Sequence, residues 1–307
     1  MGKVCVVGGG QVGSTCANLL VQEDVADVVL IDIVEGLPQG KALDIMQSAP
    51  ILKFSQKIVG TNQFSDLAGS DIVVITAGSA RKPGMTRTDL LKFNAKVVKS
   101  VTEQIVKYAS SSIILAVTNP VDVMAYLVFK TSGFDNKRVI GVSGVLDSAR
   151  FAYFLSEGLN IPISEVNALV IGAHDDTMLP LEDHSTAGGQ PVSSRFSPDA
   201  LQEIVERTRR GGAEIVACLK TGSAFYAPAA AAAHTVKTIL ANEQKVLPSS
   251  AFLDGQYGLD DLYIGVPCKL GGKGIMEIIE LDLTSREEKA LQKSAQAIKD
   301  KISALGV

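Results

Sequence analysis

Val4-Cys5-Val6-Val7-Gly8-Gly9-Gly10-Gln11-Val12-Gly13 is a short apolar run that ends on G-x-G-x-x-G. Its valines predict a strand, and the amphipathic stretch from Gln11 to Gln22 predicts a helix directly behind it. Glycines at such a junction let backbone approach a pyrophosphate, and the helix N-terminus offers unpaired N–H groups with partial positive charge. A glycine triplet alone also fits a plain tight turn. The second observation is Asp32, 19 residues past Gly13, closing the run Val28-Val29-Leu30-Ile31. A carboxylate near that offset accepts a ribose 2′-hydroxyl. It repels a 2′-phosphate, and Ile33 beside it adds no positive charge, so NAD is expected rather than NADP. The cofactor positions on this reading are Gly8, Gly10, Gln11, Val12, Gly13 and Asp32.

Further runs of the same texture follow: Ile72–Ile75, Ile113–Val117 and Arg138–Gly141. They are short and rich in Val and Ile, as expected of strands covered on both faces in a parallel sheet. Helical stretches lie between them, for example Asp89 to Ala109. Strand, helix and strand at this spacing predict a Rossmann-type doubly wound α/β fold. After about Ser148 the texture changes. A helix over Ala149–Gly158, an apolar strand over Val166–Ile171, a long helix over Leu201–Leu219 and an Ala-rich helix over Ala227–Leu240 are expected. Strands over Val246–Ala251, Asp261–Val266 and Ile275–Glu280 then precede a C-terminal helix opened by a capping box at Ser285-x-x-Glu288. The division falls near residue 145: a dinucleotide domain over 1–145 and an α+β substrate domain over 146–307.

Composition narrows the class. The 307 residues are 46% apolar and 20% charged, with 28 glycines and 11 prolines, which excludes disorder, collagen-like repeats and a disulfide scaffold. A net charge of −4 and no dense basic stretch argue against nucleic acid or an anionic membrane as partner. No apolar run approaches the roughly 18 residues of a membrane span. Cys5, Cys16, Cys218 and Cys268 are scattered, without C-x-x-C spacing, as in a reduced compartment. A first strand starting at Lys3 leaves no room for a leader, and Val6 stands where myristoylation needs Ser or Thr, so a cytoplasmic location is expected.

Four polar clusters sit at strand ends, where open α/β sheets bind ligands. They are Ala77–Arg87 with three cations in seven residues, Val117–Asp122, Val145–Arg150 and Ile171–Asp176. Together A-R-K-P-G-M-T-R, T-N-P-V-D, G-V-L-D-S-A-R and G-A-H-D-D resemble the lactate/malate dehydrogenase family over essentially the whole chain. The nearest branch is that of the lactate-dehydrogenase-like malate dehydrogenases. The resemblance implies NAD-dependent hydride transfer between (S)-malate and oxaloacetate. It makes His174 the acid/base, Asp147 its carboxylate partner and Arg150 the clamp on the substrate's C1 carboxylate. Arg87 becomes the loop arginine that polarises the reacting carbonyl, and Asn119 touches substrate and cofactor. Asn94 and the Val117–Asn119 backbone resemble nicotinamide-side contacts.

These roles suit the chemistry. A 2-keto acid that receives a hydride becomes an alkoxide that needs a proton, and an imidazolium supplies it. A carboxylate behind the ring fixes its tautomer and favours its charged form. A guanidinium fork grips both oxygens of a carboxylate. The Arg81-Lys82-Pro83-Gly84 stretch reads as a hinged lid. Substrate choice rests on Arg81: family lactate dehydrogenases carry Gln there and malate dehydrogenases Arg, and a dicarboxylate needs a second buried counter-charge. Ser223 is a weaker pocket candidate, with helix capping as its plain alternative. His234 and His184 read as packing or surface residues, and a metal held by His174, Asp175 and Asp176 is not expected because adjacent residues seldom converge on one ion. The family usually has Gly after the catalytic His. Asp175 stands there instead, and is expected to crowd the cofactor and to raise the His174 pKa by its charge. Alternatives are a lactate-type 2-hydroxy acid dehydrogenase, an NAD- and metal-dependent glycosidase on a related fold and a silent NAD-binding regulator. A homodimer or homotetramer is implied by the resemblance.

Overall fold

The computed structural model describes residues 2–79 and 86–306, with the side chain of Arg87 outside the description. Arg81 and the lid stretch to Gly84 therefore lie outside the described residues. The first half comprises β1 (Gly2–Val7), α1 (Gln11–Gln22), β2 (Ala26–Ile31), α2 (Leu37–Leu52), β3 (Ile58–Thr61), β4 (Ile72–Ile75), α3 (Arg87–Tyr108), β5 (Ile113–Ala116), α4 (Val121–Ser132) and β6 (Val139–Gly141). Its strands are parallel in the order β3-β2-β1-β4-β5-β6. Strand order reverses between β1 and β4, which places a ligand crevice at the C-terminal ends of those strands. Ile72, Val73, Val74 and Ile75 are each 0% exposed, covered on both faces. Each such side chain contributes about 1.5–3 kcal/mol of burial, and together they fix the strand in mid-sheet.

The second half adds α5 (Gly144–Leu159), β7 (Val166–Asn167), β8 (Val170–Ile171), β9 (Leu179–Pro180), β10 (Thr186–Ala187), β11 (Gln190–Pro191), α6 (Pro198–Leu219), α7 (Tyr226–Leu240), β12 (Lys245–Asp254), β13 (Asp260–Gly271), β14 (Gly274–Ile278) and α8 (Ser285–Leu305). β12, β13 and β14 extend the parallel sheet past β6 as antiparallel strands, joined through the pair Ser250 and Gly141. α7 packs on α1, β13 and α5, with Ala229, Ala231, Ala232 and Ala233 buried along it. One hydrophobic core runs through both halves, while a smaller one (Phe151, Leu155, Val170, Met178, Val192, Leu201, Val205) lies under α5 and α6. No helix among the described residues is long and apolar enough to cross a membrane.

Several expectations are corrected in detail. The Val166–Ile171 run is two strands, because β7 pairs with β10 while β8 pairs with β9 in a separate sheet. The helix expected from Ala149 begins at Gly144, which brings Asp147 and Arg150 onto it one turn apart. Thr284, not Ser285, caps α8: its Oγ1 accepts the Glu287 N–H at 3.3 Å and Glu287 Oε2 accepts the Thr284 N–H at 2.8 Å. Two overlapping S/T-x-x-E patterns occur there, and the chain uses the earlier one. β3 and α2 escape the sequence reading because β3 is a half-exposed edge strand and α2 lacks a clear apolar stripe.

Candidate active site

The turn after β1 needs its glycines for two reasons. Gly8 has φ +112°, and a Cβ there would stand 2.6 Å from the Ala77 nitrogen. A Cβ on Gly13 would stand 1.9 Å from the Gly8 carbonyl oxygen, so α1 meets the turn closer than any side chain permits. At Gly10 a Cβ would meet nothing within 4 Å, and no side chain caps α1. The open cradle and unclaimed N–H groups fit a pyrophosphate. Asp32 Oδ2 accepts the Gly9 N–H at 2.6 Å and Oδ1 accepts the Val34 N–H at 2.9 Å, aiming the carboxylate across the turn with lone pairs left for ribose hydroxyls. Gln11 is exposed and Val12 half-buried beside it.

From this turn a run of polar contacts crosses the strand ends. Thr76 Oγ1 donates to the Gly8 carbonyl at 3.0 Å, and Thr118 Oγ1 donates to the Ala77 carbonyl at 2.8 Å. Asn94, 1% exposed on α3, accepts the Ser79 N–H at 2.8 Å and donates to the Asn119 carbonyl at 2.8 Å. Its amide therefore braces the loops after β4 and β5. Val117 is half-buried at the end of β5, and Asn119, exposed, precedes a cis peptide bond to Pro120. α3 opens with a capping box between Thr86 and Asp89, so Arg87 occupies the first helical position.

His174 and Asp147 come together as expected. The ring Nδ1–H donates to Asp147 Oδ2 at 2.7 Å, with the side chains 11% and 3% exposed. Asp147 lies in the first turn of α5, and Arg150 one turn on places Nη1 3.4 Å from Asp147 Oδ1. Burial pulls the His174 pKa down, but the Asp147 charge and hydrogen bond outweigh it, leaving the ring above its ordinary value. With Nδ1 committed to a carboxylate, Nε2 is the atom that exchanges a proton. Arg150 is half-buried, and its enclosed Nε lacks a partner among the described residues. Burial draws its pKa down against the pull of Asp147. α6 runs beside it with Gly211 and Gly212, where a Cβ on Gly211 would stand 3.2 Å from Arg150 Cδ. A half-buried guanidinium beside the His174–Asp147 pair suits a carboxylate ligand.

Asp122, which carries no evident role in T-N-P-V-D, joins the site in the fold. It is buried in the first turn of α4, accepts the His174 backbone N–H at 2.8 Å through Oδ2 and accepts the Ser250 hydroxyl at 2.7 Å through Oδ1. Burial pushes its carboxyl up to about 6, with Ser250 and His174 opposing. An acid inside the apolar run Val121-Asp122-Val123-Met124 was the available signal. The Asp175 charge, expected to raise the His174 pKa, is not among the leading influences on it. The Asp175 carboxylate is tied to Lys301 and Thr177, and the groups acting most on His174 are its burial, Asp147, Arg150 and Asp122. Ser223 is exposed in the loop between α6 and α7 and caps neither helix. His234 is half-buried on α7, 3.5 Å from Lys245 Nζ, and His184 is half-buried between β9 and β10. A cavity of about 1010 Å3 opens at the opposite, N-terminal edge of the sheet by Gly2, Ile72 and Ile113, away from these residues.

Comparison with known proteins agrees with this layout. Residues 2–141 match the lactate/malate dehydrogenase NAD binding domain, and residues 144–305 match the family's alpha/beta C-terminal domain. A malate dehydrogenase from Bacillus israeli is 50% identical over 99% of this chain and 98% of its own length. The structure of Cryptosporidium parvum malate dehydrogenase superposes with a TM-score of 0.97 at 43% identity, covering 99% of both chains. A lactate dehydrogenase from the same organism, complexed with lactic acid and nicotinamide adenine dinucleotide, gives 0.96 at 40% identity over 99% of this chain and 98% of its own. With a dinucleotide turn, a buried His–Asp pair and matches along nearly its entire length, this chain belongs to the lactate/malate dehydrogenase family.

Proposed function

We propose that this chain catalyses reversible NAD-dependent hydride transfer between (S)-malate and oxaloacetate. The observation that carries the reading is the His174–Asp147 pair, buried at the strand ends beside an Arg150 whose Nε has no partner among the described residues. Relatives about 50% identical over full length that are named malate dehydrogenase support the choice of substrate. When bound, the dinucleotide supplies the hydride. The chain's own residues do the rest. Protonated His174 gives its Nε2 proton to the oxygen of the reduced carbonyl, and neutral His174 takes it back in the reverse direction. Asp147 holds the ring tautomer and offsets the imidazolium charge. Arg150 takes the C1 carboxylate, Arg87 stabilises charge growing on the carbonyl oxygen, and Asn119 orients substrate against cofactor. On this reading Arg81 pairs with the second carboxylate, so a four-carbon diacid is preferred over pyruvate.

Gly8, Gly10, Gln11, Val12 and Gly13 hold the pyrophosphate on this reading, Asp32 takes the ribose, and Asn94, Val117 and Asn119 form the nicotinamide end. On the same reading the division into two domains near residue 145 falls in the first turn of α5, a few residues after β6 ends at Gly141. Free cysteines fit work in a reducing compartment such as the cytoplasm, malate oxidation fits a place in the tricarboxylic acid cycle, and exposed Leu43, Ile51 and Leu52 on α2 fit burial in a homodimer or homotetramer. The test is NADH oxidation with oxaloacetate and pyruvate side by side, for the parent and Arg81→Gln. The parent should prefer oxaloacetate by at least about 100-fold in kcat/KM, and the variant should shift toward pyruvate. Equal turnover of both acids by the parent would establish a lactate-type or unselective enzyme instead.

A further inference from the structure

The segment Gly172–Thr177 carries His174 yet belongs to no regular element, and its consecutive amides are held by three different parts of the fold. The Gly172 N–H donates to the Gly265 carbonyl on β13 at 2.8 Å. The Ala173 N–H donates to Ser294 Oγ on α8 at 2.8 Å. The His174 N–H donates to Asp122 on α4 at 2.8 Å. At the next residue the side chain takes over. Asp175 Oδ1 accepts the Thr177 N–H at 2.8 Å and the Thr177 hydroxyl at 2.6 Å, while Oδ2 pairs with Lys301 Nζ on α8. Thr177 Oγ1 also lies 3.0 Å from Ser294 Oγ, so that hydroxyl accepts from Ala173 and donates to Thr177.

We propose that Asp175 and Lys301 are a positioning pair that makes the C-terminal helix part of the apparatus holding His174 in place, a proposal that rests on His174 being the acid/base residue. Ser294 and Lys301 stand seven residues apart, two turns along one face of α8, with buried Leu291, Ala295, Ile298 and Ile302 fixing that helix to the body of the protein. His174 is thus flanked by an anchor on α4 at its own amide and an anchor on α8 one residue later. The ion pair is partly exposed, at 28% for Asp175 and 35% for Lys301, so its effect lies in geometry more than in stability. The catalytic ring must also keep its 2.7 Å contact to Asp147, and a shift of about 1 Å at such a site costs up to roughly 100-fold in rate.

The experiment compares Lys301→Met, Asp175→Asn, the double variant and Lys301→Arg with the full-length parent. It measures kcat on whichever keto acid the parent reduces, NADH affinity by fluorescence, and hydrogen exchange over 172–178. Each single loss should lower kcat by about 5- to 20-fold at unchanged NADH affinity, with faster exchange confined to that segment. The double variant should be no slower than the worse single variant, and arginine should restore kcat to within about twofold. Single variants within about twofold of the parent, additive losses in the double variant, or exchange that rises across the whole chain would overturn the proposal. If the parent reduces neither keto acid, the acid/base reading falls by itself; unchanged exchange over 172–178 then overturns the positioning role as well.

Discussion

Asp122→Asn should stabilise the protein, and only above a definite pH. In the native state burial pushes the Asp122 carboxyl up to about 6, against 3.8 for an ordinary aspartate. A carboxyl with a raised folded pKa contributes stability that is fully present below the unfolded value and is lost as pH rises through the folded one. At about 1.36 kcal/mol per unit, the two-unit gap makes ionised Asp122 cost about 3 kcal/mol above pH 6. Asparagine mimics the protonated acid: its oxygen still accepts the His174 N–H, and its amide donates to Ser250 Oγ, whose hydroxyl can reverse. With an unfolding entropy near 2.1 cal/mol/K per residue, about 3 kcal/mol over this chain raises Tm by roughly 5 °C. Urea and thermal unfolding from pH 3.5 to 8 reads the difference, which should be nil at about pH 3.8, open between 3.8 and 6, and stay constant above. Coincident curves at pH 8, or a gap that persists at pH 3.5, would refute the linkage argument.

Asp147→Asn should lower kcat/KM for keto-acid reduction at pH 7.5 by about 10²- to 10⁴-fold, the range of a general-acid contribution. Reduction needs the imidazolium, so parent activity should fall as pH rises through a His174 pKa that lies above 6.5, and in the variant that limb should move to lower pH because burial and the Arg150 charge remain with only Asp122 opposing them; pH–rate profiles of both check it. Gly13→Ala should cost roughly 3 kcal/mol of stability and most NADH affinity, since its Cβ would lie 1.9 Å from the Gly8 carbonyl oxygen; calorimetry and fluorescence titration at full affinity would contradict that packing argument.

Sequence reading reaches furthest where one local signal has one outcome. Runs such as Ile72–Ile75 can only be buried strands in this context, and α1 occupies Gln11–Gln22 as its pattern indicates. His174, Asp147 and Arg150 are legible as residue types in quoted motifs, and the fold brings all three together. What escapes depends on distant partners. Asp122 acquires its role from Ser250, 128 positions away, and Asp175 from Lys301, 126 positions away, and no local pattern announces either meeting. Val166–Ile171 reads as one strand because hydrophobicity alone does not say that its two ends pair with different sheets. The cap of α8 is ambiguous for a simpler reason: Thr284 and Ser285 each have a glutamate three residues on.

The seam between β6 and β12 also limits how this architecture can be recombined. Gly141 faces Ser250 so closely that a Cβ would stand 2.6 Å from the serine Cβ, and that same serine braces Asp122 beneath the histidine segment. A chimaera taking everything up to Gly141 from one relative and the remainder from another would have to inherit glycine, serine and aspartate as a matched set, together with the packing of α7 on α1. The two halves are therefore not interchangeable modules, and substitutions on either side of the seam are constrained to change in concert.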